Sequence, residues 1–336
     1  MLNLLRTIHT IDAHTGGEPL RILTSGMPPI PGTTILEKRA WLKEHRDDLR
    51  QFLMNEPRGH GDMYGAYLLP PTTPGADFGV IFIHNEGYSD MCGHGIIALG
   101  KVLVELGYVE RKSPVTRIAF DAPAGLIEAW VQWDGSRAGE VTFKNVPAFI
   151  YKRDVEVQTP TFGKITGDIV FGGAFYYYIN GQQAGLEIRP EQVRALIQLG
   201  AETKAAVMAQ VAIQHPLEPG LNTLYGTIID AAPNRAGVDQ SNVCIFADRE
   251  VDRSPTGTGT SGRAAQLYLR GKLPLNQNYV NGSLVGSSFK VRVTEAVRVG
   301  EFDAAITEVT GSAHIMGFNQ WVLEDGDPFP TGFFFR

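Results

Sequence analysis

Residues 90–107 read DMCGHGIIALGKVLVELG, and residues 254–271 read SPTGTGTSGRAAQLYLRG. Laid over each other at an offset of 164 positions, they pair Gly93 with Gly257, Gly95 with Gly259 and Gly107 with Gly271. Each is a glycine-rich turn that opens an apolar helix, and each closes on a glycine. The same turn-and-helix unit therefore occurs twice, which predicts a duplicated architecture. The copies differ at one chemically telling position, where Cys92 of the first stands over Thr256 of the second.

Outward from the first copy, Thr34 and Glu37 stand at capping-box spacing. Leu42, His45, Leu49, Phe52 and Leu53 fall near one face, so residues 34–53 are expected to form one helix of about five turns, ended by Pro57 and Gly59. YGAYLLP (64–70) and DFGVIFIHN (77–85) read as strands around a PPTTPG loop. The second copy is preceded by a similar series. GGAFYYYING (172–181) is strand-like, Pro190 opens a helix with Val193, Leu196 and Ile197 on one face, and TLYGTIID and SNVCIFAD are strands. Two mixed α/β units are expected, residues 1–150 carrying Cys92 and residues 151–324 carrying Asp252 and Thr256. Their join is expected near 145–168, where Pro, Gly and Thr cluster. The Phe-rich tail, about residues 325–336, is expected to pack back on one of the halves.

At 336 residues the chain exceeds what one core usually spans, and an apolar share of 43% suffices for well-formed cores. Net charge is −6 with no run of Lys or Arg, which disfavours nucleic acid as a partner. No leader-like apolar segment opens the chain, and no stretch approaches the roughly 20 apolar residues of a membrane span. A soluble, cytoplasmic protein is expected, with both cysteines as free thiols. Cys244, in the apolar run NVCIFAD, reads as structural. His14, His60, His84 and His94 are scattered without metal-ligand spacing.

GTGTSG (257–262) matches a dinucleotide fingerprint by letters only. REVDRSPT separates it from the preceding strand and the next acidic residue is Glu295, so a nicotinamide cofactor is rejected. What CGHGII and GTGTSG offer is two helix N-termini with accessible backbone N–H groups, able to hold one small carboxylate from two sides. A thiol at such an end is expected to have its pKa lowered toward neutrality and to serve as a base. Asp252 reads equally as a ligand for a substrate ammonium and as a cap or surface partner of Arg253. His94 reads equally as a substrate ligand and as a polar helix start facing solvent.

DAHTGGEP (12–19), RGHGDMYGA (58–66), EGYSDMCGHGIIALG (86–100), GGAFYYY (172–178), DRSPTGTGT (252–260) and GSAHIMGFNQWVLEDGDPF (311–329) together resemble the proline racemase family, over nearly the whole chain. The resemblance implies a diaminopimelate-epimerase-like fold, two pseudo-symmetric α/β domains flanking a cleft. It also implies a homodimer that acts on a small amino acid with no metal and no cofactor. In that family the positions of Cys92 and Thr256 are catalytic, the second being cysteine in racemases and epimerases. Those of Gly93, His94, Asp252, Gly257 and Thr258 contact the substrate. With threonine at position 256, the chain is similar to the branch that dehydrates trans-3-hydroxy-L-proline.

Racemisation needs an acid and a base on opposite faces of Cα, and a threonine hydroxyl is far too weak an acid for one of those roles. Elimination needs one base and a departing β-substituent. In trans-3-hydroxy-L-proline the hydroxyl and the Cα hydrogen share a ring face, so one thiol can take the proton and return it to the departing hydroxyl. Rival readings are a proline racemase or hydroxyproline 2-epimerase with Thr256 relaying a proton through water, a non-catalytic amino-acid-binding homologue on an inherited fold, and, more distantly, a metal-dependent hydratase.

Overall fold

The two glycine-rich units occupy equivalent points of one chain path in the computed structural model, which describes residues 4–335. In the first half, strand Glu18–Ser25 runs parallel to Tyr64–Leu69, with helices α1 (Ile35–His45) and α2 (Asp47–Met54) between them. Tyr64–Leu69 pairs antiparallel with Phe78–His84, short strand Gly87–Ser89 follows, and then α3 (Gly93–Glu105). The chain returns as Val115–Ala122, parallel to Phe78–His84. In the second half, Phe175–Asn180 runs parallel to Leu224–Ala231 with α4 (Val193–Gln210) between. Gln240–Phe246, the short Glu250–Asp252, α5 (Gly257–Leu269) and a parallel return in Tyr279–Gly282 complete the same series. Helices α3 and α5 are both 13 residues long.

The halves are tied by strands exchanged across them. Leu4–Thr15 pairs with Ala313–Glu324, and Ala138–Lys144 pairs with Phe302–Gly311. The Pro-, Gly- and Thr-rich stretch 145–168 is mostly a regular antiparallel hairpin, Ala148–Thr159 against Gly163–Phe171. The C-terminal tail lies against residues 55–58: Phe333 N–H donates to the Glu56 carbonyl at 2.8 Å, and Arg58 pairs with Asp327.

One expected element is divided. The capping box of Thr34 and Glu37 forms, but the helix stops at His45 and restarts at Asp47. Arg46 leaves helical geometry at φ −140°, ψ 33°, and its guanidinium returns to Asp48 at the start of α2. The break lets α2 bury Leu49, Phe52, Leu53 and Met54 on the first-half sheet, while α1 buries only Ile35 and Leu42.

Helix α3 is enclosed almost all round. Ile96, Ile97, Leu99, Val102 and Leu103 are buried, each contributing roughly 1.5–3 kcal/mol relative to exposure. A helix gripped this way holds its N-terminus in a fixed place, where the site is built. No helix of the described residues is long and apolar enough to cross a membrane.

Candidate active site

The N-termini of α3 and α5 meet at their glycines. A Cβ on Gly257 would lie 2.5 Å from the Gly93 Cα, and one on Gly93 would lie 2.6 Å from the Gly257 Cα. Only glycine permits this approach. The first intrahelical bonds run from Ile96 N–H to the Cys92 carbonyl and from Thr260 N–H to the Thr256 carbonyl. The N–H groups of Gly93, His94, Gly257 and Thr258 precede them, without intrahelical acceptors, beside a narrow cleft that their residues line. Side chains from the sheets hold both ends. Thr15 Oγ1 donates to the His94 carbonyl at 2.9 Å, Tyr178 to the Gly259 carbonyl at 2.8 Å, and the Tyr176 and Thr258 hydroxyls are 2.7 Å apart.

Cys92 is the N-cap of α3, and its sulfur accepts the Gly95 N–H at 3.2 Å. His94 Nδ1 is 3.1 Å from the same sulfur. The thiol is not brought toward neutrality as expected. Burial pushes its pKa well above the ordinary 9.0, the Asp252 and Glu18 carboxylates add to the rise, and the Gly95 and Tyr64 hydrogen bonds oppose it without prevailing. His94 is buried, not facing solvent, and burial lowers its pKa to about 4. At neutral pH the pair is therefore a thiol beside a neutral imidazole.

Thr256 stands at the matching position on α5, with a different backbone. Its φ of 58° and ψ of 100° are unusual for a β-branched residue, a strain of about 1–3 kcal/mol. Ser254 Oγ on the Thr256 N–H and Asn242 on the Pro255 carbonyl hold the turn. The buried Thr256 Oγ1 completes no hydrogen bond of normal geometry, although it lies close enough to the Cys244 thiol to lower that group's pKa. Cys244 is buried in its strand, as expected, but it also lines the cleft, which its sequence context did not indicate. It sits opposite Asp252 in strand register.

Asp252 is buried at the cleft, where one carboxylate oxygen accepts the Ser254 N–H at 2.8 Å. It is not a surface partner of Arg253, whose guanidinium turns instead to Glu18 at 3.0 Å. Glu18 is fully buried and lines the same cleft. Burial raises its pKa well above the usual carboxylate value, against the pull of Arg253. All seven expected residues, Cys92, Gly93, His94, Asp252, Thr256, Gly257 and Thr258, line one cleft. Sequence reasoning missed Glu18, Tyr64, Tyr225 and Phe246. The first two lay inside recognised motifs, DAHTGGEP and RGHGDMYGA, but the others carried no local signal. Among the described residues, no group of three or more His, Cys, Asp or Glu is placed to hold a metal ion.

Known proteins share both the sequence and the fold. A trans-3-hydroxy-L-proline dehydratase from Burkholderia cenocepacia is 57% identical over 335 residues, covering 100% of both chains. A 3-hydroxyproline 2-epimerase from Burkholderia multivorans is 56% identical over the same length and coverage. The structure of a hydroxyproline epimerase from Agrobacterium vitis with bound trans-4-hydroxy-L-proline superposes with a TM-score of 0.93 at 29% identity, covering 99% of this chain and 97% of that one. The family model described as proline racemase spans residues 10–334, from the first strand into the tail, and the chain belongs to the proline racemase family.

Proposed function

We propose that this chain is a trans-3-hydroxy-L-proline dehydratase, with Cys92 as the base that removes the Cα proton. The observation that carries this reading is the asymmetry of the cleft, where a thiol on one helix end stands against a hydroxyl on the other. The dehydratase relative at 57% identity supports it. The substrate carboxylate lies between the helix ends, where the N–H groups of Gly93, His94, Gly257 and Thr258 stabilise the enediolate-like charge that develops on deprotonation. Asp252 and His94 take the ring ammonium. That cation offsets the Asp252 charge, one of the influences that holds the thiol protonated, so substrate binding favours the thiolate.

Cα deprotonation and loss of the C3 hydroxyl leave an enamine, which tautomerises to Δ1-pyrroline-2-carboxylate. Thr256 fills the second face without offering a competent acid. No metal or cofactor enters this mechanism. The units 1–150 and 151–324 each contribute one helix end. The protein is read as a cytoplasmic homodimer, and exposed Met316 and Phe318 on Ala313–Glu324 support a self-associating face.

A second reading, a hydroxyproline 2-epimerase, draws on the Cys244 thiol behind Thr256 and on the epimerase relative. In it Cys244 feeds a proton through the Thr256 hydroxyl to the opposite face of Cα. Incubating reduced protein with trans-3-hydroxy-L-proline beside Cys92→Ser separates the two. Pyrroline-2-carboxylate formed by the wild type and not by the variant supports the dehydratase; an inverted product that keeps its hydroxyl supports the epimerase.

A further inference from the structure

We propose that Glu18 sets the preference for a 3-hydroxylated substrate, its Oε1 being the atom that bonds the C3 hydroxyl. The assignment rests on the dehydratase reading and deepens it by naming what recognises the leaving group. Glu18 opens the strand Glu18–Ser25, is 0% exposed, and lines the cleft together with Cys92 and Asp252. Its Oε2 is engaged, accepting the Arg253 backbone N–H at 2.7 Å and facing the Arg253 Nε at 3.0 Å. Arg253 is itself fixed, since its guanidinium donates to the Val251 carbonyl at 3.1 Å and to the Asp62 carbonyl at 3.0 Å. Glu18 Oε1 has no hydrogen-bond partner in the protein.

Buried polar atoms are bonded almost without exception, so an unmet one in the wall of a cleft points to a partner that the ligand brings. Of the side-chain oxygens and nitrogens on the residues lining this cleft, Glu18 Oε1 and Thr256 Oγ1 are the two that are buried without a partner. The Tyr64 and Tyr225 hydroxyls lie 3.2 Å from each other, and those of Tyr176 and Thr258 lie 2.7 Å apart. On the substrate side, the helix ends take the carboxylate, and Asp252 and His94 take the ammonium. The C3 hydroxyl is what remains.

Stereochemistry chooses between the two atoms. The C3 hydroxyl of the trans substrate shares a ring face with the Cα hydrogen, which is the face Cys92 takes, and Thr256 fills the other. Glu18 belongs to the Cys92 side. It pairs in strand register with Thr15, whose hydroxyl holds the His94 carbonyl at the start of α3. Two N–H donors keep Oε2 an acceptor in both protonation states of the carboxyl, so Oε1 is the atom left to meet a hydroxyl. The hydroxyl held there keeps a lone pair for the proton that Cys92 returns.

The test measures Kd by calorimetry in the Cys92→Ser protein, which binds without turnover, for trans-3-hydroxy-L-proline, cis-3-hydroxy-L-proline and L-proline. With Glu18 in place, the trans isomer should bind about tenfold or more tighter than L-proline, because the unhydroxylated ring leaves Oε1 unmet. Adding Glu18→Met, which keeps the length of the side chain and removes both oxygens, should abolish most of that ratio. A merely structural role for Glu18 would weaken both ligands alike and leave the ratio standing, which overturns the assignment. Equal affinity for the trans isomer and L-proline with Glu18 intact also overturns it, and this measurement needs no change at position 18. Preference for the cis isomer would place the hydroxyl at Thr256 and overturn it as well. The dehydratase reading is judged separately: if wild type inverts trans-3-hydroxy-L-proline without losing water, that reading falls, while the affinity ratio still decides the role of Glu18.

Discussion

Replacing Gly257 by alanine drives a methyl group into the backbone of the facing helix. The new Cβ would stand 2.5 Å from the Gly93 Cα, 2.8 Å from its carbonyl carbon and 3.1 Å from the His94 nitrogen. Ordinary contact begins near 3.4 Å, so the helix ends must part by about 0.9 Å, the difference between 3.4 and 2.5 Å. None of these atoms is the tip of a flexible side chain, and α3 is locked in its core. Overpacking of this kind costs about 1–3 kcal/mol. Separating two halves of a charge-stabilising site by about 1 Å lowers turnover by roughly 10²-fold. Thermal unfolding and kcat/KM on trans-3-hydroxy-L-proline measure the two effects. Gly87→Ala is the control, because a Cβ there meets nothing within 4 Å. If Gly257→Ala keeps both wild-type stability and wild-type kcat/KM, the meeting of the helix ends is not what organises the site.

Cys92 should alkylate slowly at neutral pH, since its raised pKa leaves little thiolate there, and the rate should climb about tenfold per pH unit on the alkaline side. Peptide mass spectrometry after iodoacetamide treatment, which resolves Cys92 from Cys244, follows this; fast, pH-independent labelling around neutrality would show a depressed pKa. Thr256→Cys restores an acid on the second face and should produce Cα inversion, raising it by about 10²-fold or more. Chiral chromatography of trans-3-hydroxy-L-proline reactions detects it, and a folded, dehydrating variant with no inversion would refute the one-thiol account.

The duplicated helix starts were legible because close backbone approach requires glycine, and glycine shows in the letters at 93 and 257. The capping box at Thr34 and Glu37 was legible for a similarly local reason. The break at Arg46 was not. It follows from fitting Leu49 and Phe52 onto the sheet, a tertiary demand that the continuous apolar spacing conceals. Tyr64, Tyr225, Cys244 and Phe246 come from strands buried on both faces, and all seven residues of Gln240–Phe246 are buried. Such strands lack the alternation that tells which side chain faces a cleft. The thiol pKa was misjudged because a helix end is visible in sequence and the depth of burial is not. Here burial outweighs the Gly95 hydrogen bond.

The most direct measurement is NMR of wild-type protein with trans-3-hydroxy-L-proline in deuterated water, following Cα and C3 together. The account predicts conversion to Δ1-pyrroline-2-carboxylate, deuterium entering at C3 on tautomerisation, and no inverted hydroxyproline at any time. Recovered hydroxyproline that carries deuterium at an inverted Cα with its hydroxyl retained would contradict it, and would make Thr256 with Cys244 a working acid.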